Sequence, residues 1–176
     1  MYRSKTMGSI STILVILMFF IFTFTSQASL VQITLATAPQ VISSFPDSFK
    51  DLINKSRNLT QSYQNETGKF ANGQYNNKTM IVITNNYLPI FQNLVNESKI
   101  LQTTEQYHNA STLYTKSLEA ELQSYVHFRN YLSTGNPTES EASTKSLVDA
   151  FNYENESFNA FRTAIRYTIP MQMIRV

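Results

Sequence analysis

Cysteine is absent from this 176-residue chain, so no disulfide, thiolate metal site or cysteine nucleophile can form. Small exported eukaryotic domains commonly use disulfides because their cores are thin, so the lack points toward a prokaryotic exported protein whose helices pack without staples. Glycine and proline are also scarce, at 4 and 5 residues, which favours long helices over many turns. Charge is sparse too. Only 15 % of residues are Asp, Glu, Lys or Arg, the net charge is +2, and the basic residues form no stripe, which argues against a nucleic-acid partner. Solubility must rest on Asn, Gln, Ser and Thr. No glycine-rich phosphate loop, nucleophile elbow or HExxH pair occurs. An enzyme is therefore not expected, and no cofactor is.

What the chain does have is one long apolar run, Gly8 to Thr25, with no charge anywhere between Thr6 and Pro46. At about 1.5 Å per residue the run spans roughly 27 Å, just short of a hydrocarbon core of about 30 Å. Arg3 and Lys5 precede it and place the N-terminus in the cytoplasm, with everything after the run outside. The expected organisation is a basic tail over 1–7, a signal anchor or signal peptide over 8–28, a linker over 29–45, a helical ectodomain over 46–170 and an apolar tail over 171–176. As an anchor, the run holds the domain at the cell membrane in a single pass. Cleavage after Ala28, in Ser26-Gln27-Ala28, would instead release it.

The ectodomain reads as all-α. Ser44-Phe45-Pro46-Asp47 looks like a helix start, with Ser44 as cap, and Phe49, Leu52, Ile53, Leu59 and Tyr63 follow at helical spacing to about 66. Gly68 and Asn72-Gly73 mark a break. A second helix is expected from about Asn77 to Thr103, kinked or started by Pro89, and a third from about Glu105 to Ser133. From Ile90 to Thr134 there is neither glycine nor proline, so these two are either one rod or two helices with a turn near His108-Asn109. Gly135 then suits a left-handed cap. Asn136, Pro137 and Glu139 suit a restart, with Glu139 reaching back to the cap. The last helix should end at Pro170. The stripes must meet in an antiparallel bundle of four helices, or three if the middle pair is continuous. Phe158 is expected in its core, where one buried Phe contributes roughly 2 kcal/mol.

Seven Asn-x-Ser/Thr triplets follow the apolar run, at Asn54, Asn58, Asn65, Asn77, Asn96, Asn109 and Asn155. Chance pairing of 16 Asn with 38 Ser and Thr residues would give three or four. Asn54, Asn58 and Asn65 fall on one arc of their helix, opposite Phe49, Leu52 and Tyr63, where an attached sugar could reach solvent. They are candidate N-glycosylation sites. The competing explanation is that an Asn- and Ser-rich surface creates such triplets without selection.

Other constellations carry less. Glu105 and His108 form one Glu-x-x-His pair, whereas ferritin-like di-iron bundles need two, so no metal is expected. Glu119 with Glu121, Glu139 with Glu141, and Glu154 with Glu156 are two apart, so each pair diverges by about 200° and reads as solvated faces. Tyr107, Tyr114, Tyr125 and Tyr131 suit core-edge packing with hydroxyls in water, or the lining of a ligand groove.

Gly8-Ser9-Ile10-Ser11-Thr12-Ile13-Leu14 resembles the processing site and first helix of archaeal type IV pilin-like proteins. That resemblance covers about 20 residues, and Thr6 and Met7 stand where a basic residue is usual. It implies a filament subunit processed after Gly8. In outline the whole chain resembles the ligand-binding half of membrane sensors built on four-helix bundles, without their second apolar span or output domain. The expected function is binding, through an envelope protein partner, self-association or a small ligand between helices.

Overall fold

The computed structural model describes residues 44–172, with side chains described as far as 166. The expected basic tail 1–7, apolar span 8–28, most of the linker 29–45 and the end of the tail lie outside the described residues. Four helices form the described part: α1 (Phe45–Ala71), α2 (Asn77–Ile100), α3 (Glu105–Thr134) and α4 (Pro137–Gln172). No helix among them is long and apolar enough to cross a membrane.

The ends of the helices follow local chemistry, with several departures from expectation. α1 starts at Phe45, inside the expected linker, because Phe45 is buried and packs its ring 4.9 Å from Tyr107. Ser44 holds the cap position, but its hydroxyl donates to the Asp47 carboxylate at 2.6 Å rather than accepting from the backbone. The helix runs past Gly68 to Ala71, since burial of Phe70 offsets the roughly 1 kcal/mol that a helical glycine costs. It turns at Gly73, whose φ of +73° is easy only without a Cβ. Asn76 caps α2 by accepting from the Thr79 N–H. α2 runs unbroken through Pro89.

The expected single rod is absent, and so is the turn at His108-Asn109. The chain breaks earlier, at residues 101–104. Leu101 and Thr104 are extended there, and the β-branched pair Thr103-Thr104 disfavours helix. Gly135 ends α3 at φ +68°, with its N–H on the Tyr131 carbonyl. Asn136 caps α4 through the Thr138 N–H. Glu139 does not reach back to that cap. Its carboxylate crosses the hairpin to His127 at 2.8 Å and Asn130 at 3.3 Å. α4 continues two residues beyond Pro170, where a proline near a helix end removes only one intrahelical bond.

The helices alternate in direction and pack against one another. α1 meets α2 antiparallel, with Tyr63 Oη bonded to Thr84 Oγ1 at 2.8 Å and Lys55 paired with Glu97 at 3.1 Å. α2 meets α3 antiparallel through Phe91–Tyr125 rings 4.7 Å apart and Lys99–Glu119 at 2.6 Å. The closest approach is between α3 and α4. Small residues recur every seventh position on both, at Ala110, Ser117 and Ser124 on α3 and at Ser143, Ala150 and Ser157 on α4. They face one another in register. Ser157 Oγ donates to the Ala110 carbonyl at 2.7 Å, Ser117 Oγ donates to the Ala150 carbonyl at 2.8 Å, and Ser124 and Ser143 share a bond at 3.3 Å.

That seam displaces Phe158 from the place expected of it. Ser157 is the fully buried residue, and Phe158 lies partly buried on the flank, its ring stacked 6.2 Å from Tyr114. The larger aromatics instead fill the space between α1 and α3. Phe49 and Tyr114 meet at 5.2 Å, Tyr63 and Tyr125 at 4.4 Å, and Phe70 and Phe128 at 6.1 Å.

Ser157→Leu is expected to force α3 and α4 apart and cost about 1–3 kcal/mol, whereas Ser133→Leu on the exposed face should change stability by less than about 0.5 kcal/mol. Phe49→Ala should cost about 3–5 kcal/mol and Phe158→Ala clearly less. Urea unfolding followed by circular dichroism reads all four.

Candidate functional site

Three helices carry apolar or aromatic residues at a spacing of seven with a polar residue standing between two of them. On α1 the series is Phe49, Ser56, Tyr63, Phe70. On α3 it is Tyr107, Tyr114, Glu121, Phe128. On α4 it is Leu147, Glu154, Phe161. The seam sets Glu154 level with Tyr114 and Glu121 level with Leu147, one heptad layer apart, and together with Ser56 they line a single cleft of about 160 Å³ between α1, α3 and α4. The layer next to them is closed by rings: Phe49 stands 5.2 Å from Tyr114 and 5.0 Å from Phe161. Ser56, Glu121 and Glu154 stand in two adjacent layers where rings or aliphatic side chains would otherwise close the bundle, and the space between them stays open. Tyr114, Leu118, Leu147 and Phe151 make its apolar wall, and Arg57, Thr60, Gln61 and Gln64 of α1 complete the polar side.

Glu121 is the most buried acid of the cleft, with 9 % of its surface exposed. Two hydroxyls donate to it, Thr60 Oγ1 at 2.7 Å and Tyr125 Oη at 2.6 Å. Both reach the same oxygen, Oε1, which leaves Oε2 for whatever enters the cleft. Burial raises its pKa, and the two donated bonds oppose the rise only in part. Glu154 is partly buried and makes no hydrogen bond or ion pair with the described residues. Burial pushes it up to about 8, the charge of Glu121 adds to the rise, and Arg57 opposes it. Tyr114 and Tyr125 are also raised, by burial first. The cleft therefore holds two carboxyls that are hard to ionise together, one guanidinium and an apolar wall. These groups can bind a small molecule and exchange a proton with it.

Sequence reasoning placed Glu121 and Glu154 on solvated faces, and the structure corrects that. Glu119 and Glu121 do diverge, with Glu119 paired to Lys99 outside. The acid that converges with Glu121 comes from another helix, a relation that spacing within one helix cannot express. Counting by sevens would have flagged both, since each interrupts an apolar stripe. The tyrosine hydroxyls are corrected too. Tyr107, Tyr114, Tyr125 and Tyr131 are all buried, Tyr125 bonds Glu121 rather than water, and Tyr114 lines the cleft.

The other candidates lie elsewhere. Glu105 and His108 are exposed at the start of α3. The seven triplet asparagines, Asn54, Asn58, Asn65, Asn77, Asn96, Asn109 and Asn155, are all exposed, but so are nearly all the other asparagines of the bundle. Their third residues point the other way: Ser56, Thr67, Ser98, Ser111 and Ser157 are buried. A helix with asparagine outside and small hydroxyls inside produces this triplet by geometry, because two residues span about 200°. No family model matches this chain, and no curated protein or solved structure matches it.

An acid whose pKa is higher in the folded than in the unfolded state stabilises least once it must ionise. The folded protein holds the Glu154 proton up to about pH 8, while the unfolded chain gives it up near the ordinary carboxyl value. Stability should thus fall as the pH rises from about 5 to about 8. Glu154→Gln should flatten that slope and stabilise the protein at the upper end by roughly 1–3 kcal/mol, allowing for solvent screening. Thermal unfolding of both proteins across that range is the check.

Proposed function

We propose that this chain is an extracytoplasmic binding protein, held at the outer face of a membrane by residues 8–28, whose bundle receives a small ligand in the cleft between α1, α3 and α4. The role is recognition, not catalysis. The observation that carries it is the convergence of three broken stripes on one cleft. Completing each stripe with an apolar residue would close the bundle, as the neighbouring layers are closed, so keeping Ser56, Glu121 and Glu154 there costs stability that binding can justify. The cleft is about the size of the engineered 150 Å³ cavity that admits benzene, which sets the size of ligand. The lone guanidinium and the two acids are the polar anchors expected in a mostly apolar binding site. A protein partner or a second copy at the membrane fits the same reading, as the element that would receive the signal.

Benzyl alcohol, benzylammonium and benzoate match that size and span the three charge types. At least one of them should raise the melting temperature, and Gln61→Trp, which narrows the exposed rim of the cleft, should abolish the effect. If none of the three shifts the melting curve, the cleft is not a ligand site.

The membrane half of the proposal rests on the uncharged run and is tested separately. Mass spectrometry of the mature N-terminus should find Met1 or Tyr2. A start at Ser29 would mean a secreted form, and a start at Ser9 would favour the filament subunit.

A further inference from the structure

We infer that the cleft is selective for a small organic monocation with an apolar body, its ammonium or guanidinium group drawn by the two acids, Glu121 and Glu154, that line it. The inference rests on the binding role proposed above and names the ligand class for the same site.

Charge arithmetic within the cleft comes first. Two carboxylates face one guanidinium, that of Arg57, so the ionised site is one positive charge short of neutrality. The other lining residues bring no charge. Burial makes this shortfall expensive, because a carboxylate removed from water needs a counter-charge or a proton. The arriving ligand can supply that counter-charge.

Geometry comes second. Glu121 is nine-tenths buried and fixed by Thr60 and Tyr125 at Oε1, so Oε2 is presented on a side chain that is already held. A pre-oriented acceptor loses little on binding. Glu154 enters from the opposite helix with no hydrogen bond or ion pair to the described residues, while Lys116 of α3 lies over the ring of the adjacent Tyr153 instead. A structural acid would be expected to take such a partner. On the far side Tyr114, Leu118 and Phe151 offer an apolar wall, with a ring whose face also favours a cation.

An anion fits poorly. It would meet Arg57 but stand against both acids. A neutral ligand gains the apolar wall alone.

The proton balance follows. In the empty cleft a proton stands in for the missing charge, held on Glu154 by burial and by the field of Glu121, with Arg57 opposing and Tyr114 packed alongside. A cation entering displaces that proton to solvent, so binding releases close to one proton per ligand near neutral pH. Affinity should then weaken by up to roughly tenfold for each pH unit below about 8.

The experiment is isothermal titration of the full chain with benzylammonium, benzyl alcohol and benzoate, each in two buffers of different ionisation enthalpy. Benzylammonium should bind at least tenfold more tightly than benzyl alcohol, with proton release, and benzoate should bind most weakly. Glu154→Gln, which keeps shape and removes the charge, should bring benzylammonium and benzyl alcohol to near parity and abolish the proton release. Glu121→Gln should do the same to the preference. Tight binding of benzyl alcohol or benzoate without a preference for the ammonium overturns the cation assignment and leaves the binding role standing. Binding of benzylammonium that survives both substitutions unchanged overturns it as well. Silence from all three ligands removes the binding role and this inference together.

Discussion

The close seam between α3 and α4 is the constraint on which the rest of the bundle depends. Ala110, Ser117 and Ser124 face Ser157, Ala150 and Ser143, and their small size lets the two backbones approach until serine hydroxyls reach carbonyls on the opposite helix. Such bonds fix register as well as distance, because a slip by one residue would bury a large side chain in the seam. With Gly135 closing the hairpin in a left-handed conformation, the vertical position of every residue on α4 relative to α3 is set. Glu121 is set level with Leu147 and Glu154 with Tyr114 for that reason, in adjacent layers that open on one cleft.

Volume then has to go somewhere else. A seam of small residues on one side of α3 leaves the filling of the bundle to the aromatic rings on the other, between α3 and α1. Rings of Phe49, Tyr63 and Phe70 meet those of Tyr114, Tyr125 and Phe128, and α2 closes the side through Phe91 and the buried Tyr63–Thr84 hydrogen bond. The bundle is thus tight at one edge and held wider at another. Where the ring ladder skips a step, nothing collapses to fill the space, since the seam and the rings on either side hold the helices in place. The cleft is a product of rigid neighbours, not of a loose core.

The same arrangement gives the acids their chemistry. A carboxyl at a stripe position is taken out of water by the helix packing that the other stripe positions drive. Glu121 meets that cost partly through two donated hydroxyl bonds, and Glu154 meets it by holding a proton. Natural cores rarely keep two acids on one cleft unless something is gained, because apolar side chains of similar volume would serve stability as well or better.

Much of the architecture was legible in the residues alone. Scarce glycine and proline, apolar stripes of helical period, and the Gly135-Asn136-Pro137 signature determine four long helices and the final hairpin, because each acts through the backbone of its own segment. Local chemistry placed the bounds near Thr103 and Glu105 well but left a continuous rod or a turn at His108-Asn109 open, and it misjudged the ends at Gly68 and Pro170, where packing decides how far a helix continues. The sequence also carried the period-seven pattern of small residues and its polar interruptions. What no single segment holds is the pairing across helices. That Ser56, Glu121 and Glu154 line one cleft, and that Glu154 makes no hydrogen bond or ion pair with the described residues, became fixed only when the seam set the register, because convergence is a property of distances between helices and not of spacing along one.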